Sequence, residues 1–494
     1  MGNEQKGSVN LKSKNNSWIK FDENDKKDLM KFYNFFYNKE KKIFNYNKFI
    51  ENTFLILHQK IKTNLINFLQ SFYNLKQIKK NINNNNFDLQ DFFSIAYLIT
   101  KINTDSNEEN YFKKNTFFIL YDIYKGKVNL HKENYDINDL INIFNFITLL
   151  YFNKYSNKNK NLSFSEDKFD DDYNKEFKIF LLENLKNSDD LNESFENNEI
   201  NYNLIENFVS EKLYNLDSFL KHYFNGIFFN KLNDEYYENL SPFPIFNSPP
   251  STISIYEFFY YCLSNPQISS KKFAFKLFDT KIAGYNLSDL IYSFLGFTGP
   301  VSIFIQHFPK DTKREVILGM FLNSNFKECY EKFCGDDLSN IFFITPRIIK
   351  YNCNGDNKNN ILYIQSKSQK FSSKRPGIGM GNRNGEIRFW LDSQELFSKS
   401  YFNKYDEVFE EGSPFKEMKE ILNIGNIEVF GFGDEDTLND LIKKQDRDKA
   451  LSDKMKKVDK SAFVNNEFDK EMFFSKTFAH RNDVDERANS KKES

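Results

Sequence analysis

The chain has 494 residues, with 68 Lys and Arg against 69 Asp and Glu, and a formal net charge of -1. So balanced a charge gives no bulk reason to seek nucleic acid, and the length implies roughly two to four domains rather than one core. Aromatic residues reach 17%, with 57 Phe and 27 Tyr, so Phe takes core positions that Leu and Val usually fill. The four Cys (Cys262, Cys329, Cys334 and Cys353) show no C-x-x-C spacing, which argues against a disulfide framework and for a reducing compartment.

The first residues, Met1 to Ser8, lack the apolar stretch of a signal peptide. The longest apolar runs, such as residues 146–152, are too short to span a bilayer, so a soluble or peripheral protein is expected. From about Lys26 to Asn153 the pattern is helical: Leu29, Phe32, Tyr33, Phe36 and Tyr37 recur at helical spacing, as do Phe54, Leu57, Ile61, Leu65, Phe68, Leu69 and Phe72. Asn83 to Asn86 interrupt it, Asp88 is the expected N-cap of a following helix, and Leu140, Phe144, Ile147 and Leu150 mark the last helix of this region. Tyr121 to Val128 echoes the exit of an EF-hand helix, but Tyr124 and Gly126 offer no oxygen at the third and fifth loop positions. A vestigial helical hairpin without Ca2+ is therefore expected.

Residues 156–172 read as a polar linker, with helix returning over 176–185 and 200–232. Pro242, Pro244, Pro249 and Pro250 impose an extended crossing. After Ile268 the texture changes to short β-branched or aromatic runs at 301–305, 316–321, 341–344, 361–364, 386–391 and 427–430, separated by Gly, Asn, Asp and Lys. One helix, 286–295, precedes them. From Asp434 the chain is helical and charged, with apolar stripes at Leu438, Leu441, Ile442, Leu451, Met455 and Val458, and a disordered tail is expected after Ala479.

The most informative stretch is residues 375–392, reading RPGIGMGNRNGEIRFWLD. Gly377, Gly379 and Gly381 alternate ahead of a strand ending near Trp390, a pattern suited to a tight bend at a sandwich edge. It does not fit a phosphate loop, which leads into a helix and carries G-K-[ST]. Farther on, residues 411–415 read EGSPF and residues 427–433 read IEVFGFG, including Gly412, Gly431 and Gly433. Together with Leu277-Phe-Asp-Thr280, Gly299-Pro300, residues 317–321 and Gly335-Asp336, in this order, the chain resembles the TLDc domain family, whose signature runs from a G-x-G turn through "lWlD" and G-S-P to "iEVwGfG". The resemblance covers about residues 268–433 and implies an antiparallel β-sandwich. The fold expected is thus α+β: a helical N-terminal half, a β-sandwich TLDc domain with flanking helices, and a C-terminal helix. The division is 1–155 helical and degenerate EF-hand-like, 156–267 helical with the Pro-rich crossing, 268–433 TLDc, and 434–494 C-terminal helix and tail.

The helical front half and charged final helix resemble the lysosomal, mTOR-associated, myristoylated subgroup of that family. This implies acylation at Gly2, although Lys6 stands where Ser or Thr is expected and Ser8 falls two residues late. It also implies a regulator that is not an enzyme. Such a protein would bind the catalytic head and stalk of the vacuolar-type proton ATPase (V-ATPase) on the cytosolic face of an acidic organelle, using the stripe from Leu438 to Val458. Membrane contact would come through the acylated N-terminus, with no cofactor and no nucleic acid. Two other readings stay open: an oxidation-resistance or signalling scaffold with other partners, and a cryptic hydrolase built from Cys329 or Cys334 with His307. None of His58, His131, His222, His307 and His480 pairs with another at metal-ligand spacing.

Overall fold

The computed structural model describes residues 23–38, 43–44, 116–125, 134–156, 171–185, 199–213, 215–228, 244–310, 315–323, 333–355, 360–364, 376–381 and 387–457. The helix expected through Phe54 to Phe72, the Asp88 cap, the C-terminal tail, Gly2 and Val458 lie outside the described residues. Those up to Asp434 form one compact unit, and Glu435 onward belongs to a second.

The first unit opens with helix α1 (Glu23–Phe36) and a short ladder of β1 (Tyr37–Asn38) with β2 (Ile43–Phe44). Two helix–strand–helix units follow. In the first, α2 (Thr116–Lys125) leads to β3 (Asn134–Asp136) and α3 (Ile137–Ser156). In the second, α4 (Asp171–Leu185) leads to β4 (Glu199–Asn201) and α5 (Tyr202–Asn207). β3 and β4 pair antiparallel with Tyr135 opposite Ile200, both buried, so residues on either side of 155/156 share one ladder. The strand at 199–201 and a π-turn at Phe208–Lys212 replace part of the continuous helix expected over 200–232. Asp136 caps α3 by accepting from the backbone of Asn138 and Asp139, at 2.8 and 3.2 Å. The Asp139 carboxylate is held by Lys125 Nζ at 2.6 Å and by the Tyr121 hydroxyl at 3.2 Å. α6 (Asn215–Phe228) closes this helical layer.

The proline-rich crossing carries strand β5 (Ile245–Phe246), and its last residues lead into helix α7 (Ile255–Leu263), which the sequence reading missed. Ser254 and Glu257 form a capping box at its start. Every residue of α7 from Tyr256 to Leu263 is buried. One side meets the helical layer, where Tyr260 packs on Phe144 and Phe177. The other meets the large sheet, where Phe258 and Tyr261 pack on Phe304, Phe342 and Phe430. Apart from Glu257, α7 reads as one short apolar run, which by periodicity alone suits a buried strand as well as a buried helix.

The large sheet has seven strands in the order β10-β9-β8-β7-β16-β6-β5. They are β6 (Phe273–Asp279), β7 (Val301–His307), β8 (Val316–Leu322), β9 (Asn340–Thr345), β10 (Ile349–Tyr351) and β16 (Ile424–Gly433), with β5 already given. All pairings are antiparallel except β5 with β6, which is parallel. Helix α8 (Leu287–Phe294), capped by Asn286, lies between β6 and β7 in sequence. The second sheet has five strands, β11 (Ile361–Ile364), β12 (Gly377–Met380), β13 (Phe389–Asp392), β14 (Tyr401–Asn403) and β15 (Lys419–Ile421), in sequential order. The two sheets meet through aromatic rings. Phe342 points to α7, while its neighbour Phe343 packs on Phe402 of β14 at 5.1 Å, as strand alternation requires. The large sheet is therefore covered on both faces, which explains why β8, reading VILGMFL, is buried along its whole length. The observed α+β architecture agrees with the sequence reading.

The second unit's described part is helix α9 (Glu435–Lys457). Glu435 and Asp436 in its first turn complement the helix dipole. No described helix is long and apolar enough to cross a membrane.

Candidate functional site

The glycine-rich segment is not the bend that its spacing suggested. Gly377 and Gly379 lie within β12, hydrogen-bonded to β11 on one side and β13 on the other. A Cβ on Gly377 would meet Trp390 Cζ2 at 2.6 Å, and one on Gly379 would meet Trp390 Cε3 at 2.6 Å. The glycines leave a flat floor on which the indole lies. Trp390 forms a small outer cluster with Leu362 and Ile387, while Phe389 turns inward to Phe402. Both are buried, so strand alternation places neighbouring aromatics in separate packed layers. Only Gly381, at φ +135°, uses the conformational freedom of glycine, and its Cβ would meet Arg388 Cβ at 2.8 Å.

Arg388 is the pivot of the second sheet. It is fully buried, and its Nη2 donates to the carbonyls of Gly412 at 2.6 Å and Glu410 at 3.2 Å. Its guanidinium lies over the Tyr351 ring at 5.0 Å and the Phe402 ring at 5.2 Å. Asp406 stands 3.7 Å from its Nη1. Arg388 thus fixes the G-S-P loop to the sheet. Gly412 sits at φ +145° with Tyr351 beneath it, where a Cβ would come within 2.8 Å of the ring.

Glu428 does the same for the Pro-rich crossing. Its carboxylate is fully buried and accepts from the backbone of Ser251, at 3.1 Å to each oxygen, and of Thr252 at 3.0 Å. Lys276 Nζ pairs with it at 2.6 Å. Next to it, Asp279 accepts from the Ser251 hydroxyl at 2.7 Å. Desolvation would raise the Asp279 pKa; the Ser251 hydroxyl, the Lys281 N–H and the Lys276 ammonium outweigh it and hold the group below the ordinary carboxylate value. The glutamate of the "iEVwGfG" strand is therefore a structural clamp. Gly431 in the same strand leaves room for Phe297 and Leu277, whose atoms would lie 2.6 and 2.8 Å from a Cβ. Gly433 ends the strand.

The described partners of His307 are Asn423 and Glu420, not a cysteine. The His307 imidazole is buried, Nδ1 accepts from the Asn423 N–H at 3.0 Å, and Nε2 lies 3.1 Å from Glu420 Oε1. Burial pulls its pKa down to about 4. Cys334 is disulfide-bonded, contrary to the expectation of reduced thiols. The Cys353 thiol is pushed up to about 11 by burial and lies 3.2 Å from the Ser339 carbonyl. Cys262 is buried in α7. Cys329, His58, His131 and His480 lie outside the described residues. Among the described residues no group of three or more His, Cys, Asp or Glu could hold a metal ion.

Of the C-terminal stripe, Leu438, Leu441 and Ile442 sit on α9 at helical spacing, and Ile442 is 46% exposed. Leu451 and Met455 fall on the same helix.

The sequence reading missed Arg388, Glu428, Lys276 and Ser251. The available signal was a charge inside an otherwise apolar strand, as in EIRFW and IEVF. The G-S-P loop separates two recesses. One is a cleft of about 780 Å³ against the helical layer, and the other a groove of about 420 Å³ near Phe415 and Pro309.

No curated protein matches the chain. A family match covers residues 246–433 and begins at β5 rather than at 268, so it takes in α7 and the segment clamped by Glu428. The two-sheet body of this chain, together with the helix buried against it, is a TLDc domain.

Proposed function

We propose that the protein is a non-enzymatic TLDc regulator that binds the V-ATPase on the cytosolic face of an acidic organelle, in the manner of the lysosomal, mTOR-associated, myristoylated subgroup. The observation that carries this reading is the TLDc domain at residues 246–433, followed directly by the charged helix α9. The chemistry of the motif residues supports a binding role. Arg388 and Glu428 are spent on anchoring loops, which presents a rigid, shaped surface to a partner. Helix α9, with Leu438, Leu441 and Ile442 along one side, is the partner-seeking element, an amphipathic ligand for a groove on the pump. Acylation at Gly2 would add a membrane contact that is marginal by itself.

The test is deletion of the chain from Asp436 onward. The TLDc domain remains folded, and association with purified pump weakens by at least about tenfold, or about 1.4 kcal/mol. Equal binding by the truncated protein overturns the helix mechanism. Absence of binding by the full chain overturns the pump reading and leaves the oxidation-resistance or signalling scaffold, which shares the same domain.

A further inference from the structure

We infer that the cleft between the helical layer and the TLDc domain is a binding site for a small ligand bearing clustered phosphate groups. The inference is independent of the pump reading. Four cationic side chains line this cleft of about 780 Å³: Lys212 from the π-turn, Arg347 just before β10, Lys350 within β10, and Lys404 after β14. The volume is that of a small-molecule pocket. Two acids share the wall, Glu211 and Glu411, and both are solvent-exposed.

Helix ends account for two of the cations. Lys212 Nζ donates to the Asn184 carbonyl in the last turn of α4 at 3.0 Å, and Lys350 Nζ donates to the Ser264 carbonyl that caps α7. Such contacts with the partial negative charge of a helix C-terminus are ordinary stabilising features. They do not account for Arg347 and Lys404. Among the described residues, neither of those side chains has a carboxylate or carbonyl within hydrogen-bonding reach.

Desolvation, with repulsion from Arg347 added, brings Lys212 down to about 8, and burial brings Lys350 down to about 7. Like charges gathered on one wall without full compensation cost free energy in the empty protein. An anion entering the cleft recovers that cost. Arg347 offers the planar fork suited to a phosphate, and Lys404 a point charge. The Ser413 hydroxyl oxygen already accepts from the Phe415 N–H at 3.0 Å, which leaves its proton available for a phosphate oxygen.

The experiment is isothermal titration of the full chain with inositol hexakisphosphate and with pyrophosphate. In parallel, the chain is sedimented with phosphatidylcholine vesicles with and without phosphatidylinositol bisphosphate. The comparison protein carries Arg347→Gln and Lys404→Gln, both at partly exposed positions, and its folding is verified by circular dichroism and thermal melting. A charge-matched control carries Lys443→Gln and Arg447→Gln on α9. The expected result is salt-sensitive binding that the cleft variant weakens by more than about tenfold while the control keeps it. Binding of the soluble probes identifies a free polyphosphate as the source, and binding only to the phosphoinositide vesicles identifies a lipid headgroup. No binding in either arm, or equal loss in the cleft variant and the control, overturns the inference.

Discussion

Replacing Gly379 by Ala tests why the TLDc signature alternates glycines. The new methyl would stand 2.6 Å from Trp390 Cε3, 2.9 Å from Ile387 Cγ2, and against the carbonyl of Phe389. Carbon atoms are comfortable at about 3.5–4.0 Å, so the indole must retreat by about 1 Å within a packed cluster. Overpacking of this kind costs about 1–3 kcal/mol. Trp390→Ala removes a large buried side chain, 5% exposed, and costs about 3–5 kcal/mol. The informative measurement is the cycle of both changes, followed by guanidinium denaturation with far-ultraviolet circular dichroism. If the glycine exists to seat the indole, Gly379→Ala costs about 1 kcal/mol less in the Trp390→Ala background than in the parent. Identical costs in the two backgrounds would place the penalty in the strand backbone and refute the account of the motif.

Three further outcomes follow from buried charges. His307 binds a proton in the unfolded chain near pH 6.5 but in the native protein only near about 4, so stability is lost as pH falls through that window; at pH 5 the loss reaches about 2 kcal/mol. His307→Gln should flatten the difference in urea midpoint between pH 7 and pH 5, and an unchanged difference would assign the acid sensitivity elsewhere. Glu428→Ala strands the Lys276 ammonium and the N–H groups of Ser251 and Thr252, costing about 3–5 kcal/mol in chemical denaturation; a cost below 1 kcal/mol, by about the scale of an exposed pair, would mean that the clamp is not formed. Arg388→Lys keeps the charge but loses the forked contact with the Gly412 and Glu410 carbonyls, costing at least about 2 kcal/mol and opening the G-S-P loop to limited proteolysis. Unaltered cleavage there would show that the loop holds itself.

The parts of the fold legible in the sequence were those with a one-sided or strongly local pattern. The strands at 301, 316, 341, 361 and 427 were evident from short apolar runs between turn residues, and α8 from its Asn286 cap and one-sided spacing. Helix α7 was hidden because a short and almost wholly apolar run reads equally well as a buried strand. Strand β12 was hidden because glycine has low strand propensity, and only the Trp390 ring across the ladder makes it favourable. The site glycines were found by their alternation, yet their purpose differs. Gly377 and Gly379 relieve a steric conflict across the sheet, while Gly381 and Gly412 of the same signature adopt positive φ. Arg388 and Glu428 act on loops 24 and 177 residues away in sequence, which no local pattern encodes. The four cations of the cleft come from three separate segments, so it too becomes visible only when the chain is folded.

Strand β16 is the last of the TLDc strands to be synthesised, yet it lies between β7 and β6 near the middle of the large sheet. Until residues 424–433 leave the ribosome, β6 and β5 have no bond to the block formed by β7, β8, β9 and β10. During that interval the nascent chain carries two open strand edges and an aromatic face awaiting its complement, the kind of surface that chaperones hold. The domain must therefore fold as a single late event rather than strand by strand. A premature stop or frameshift ahead of Ile424 yields no shortened but working version of it, only two half-sheets with unpaired edges.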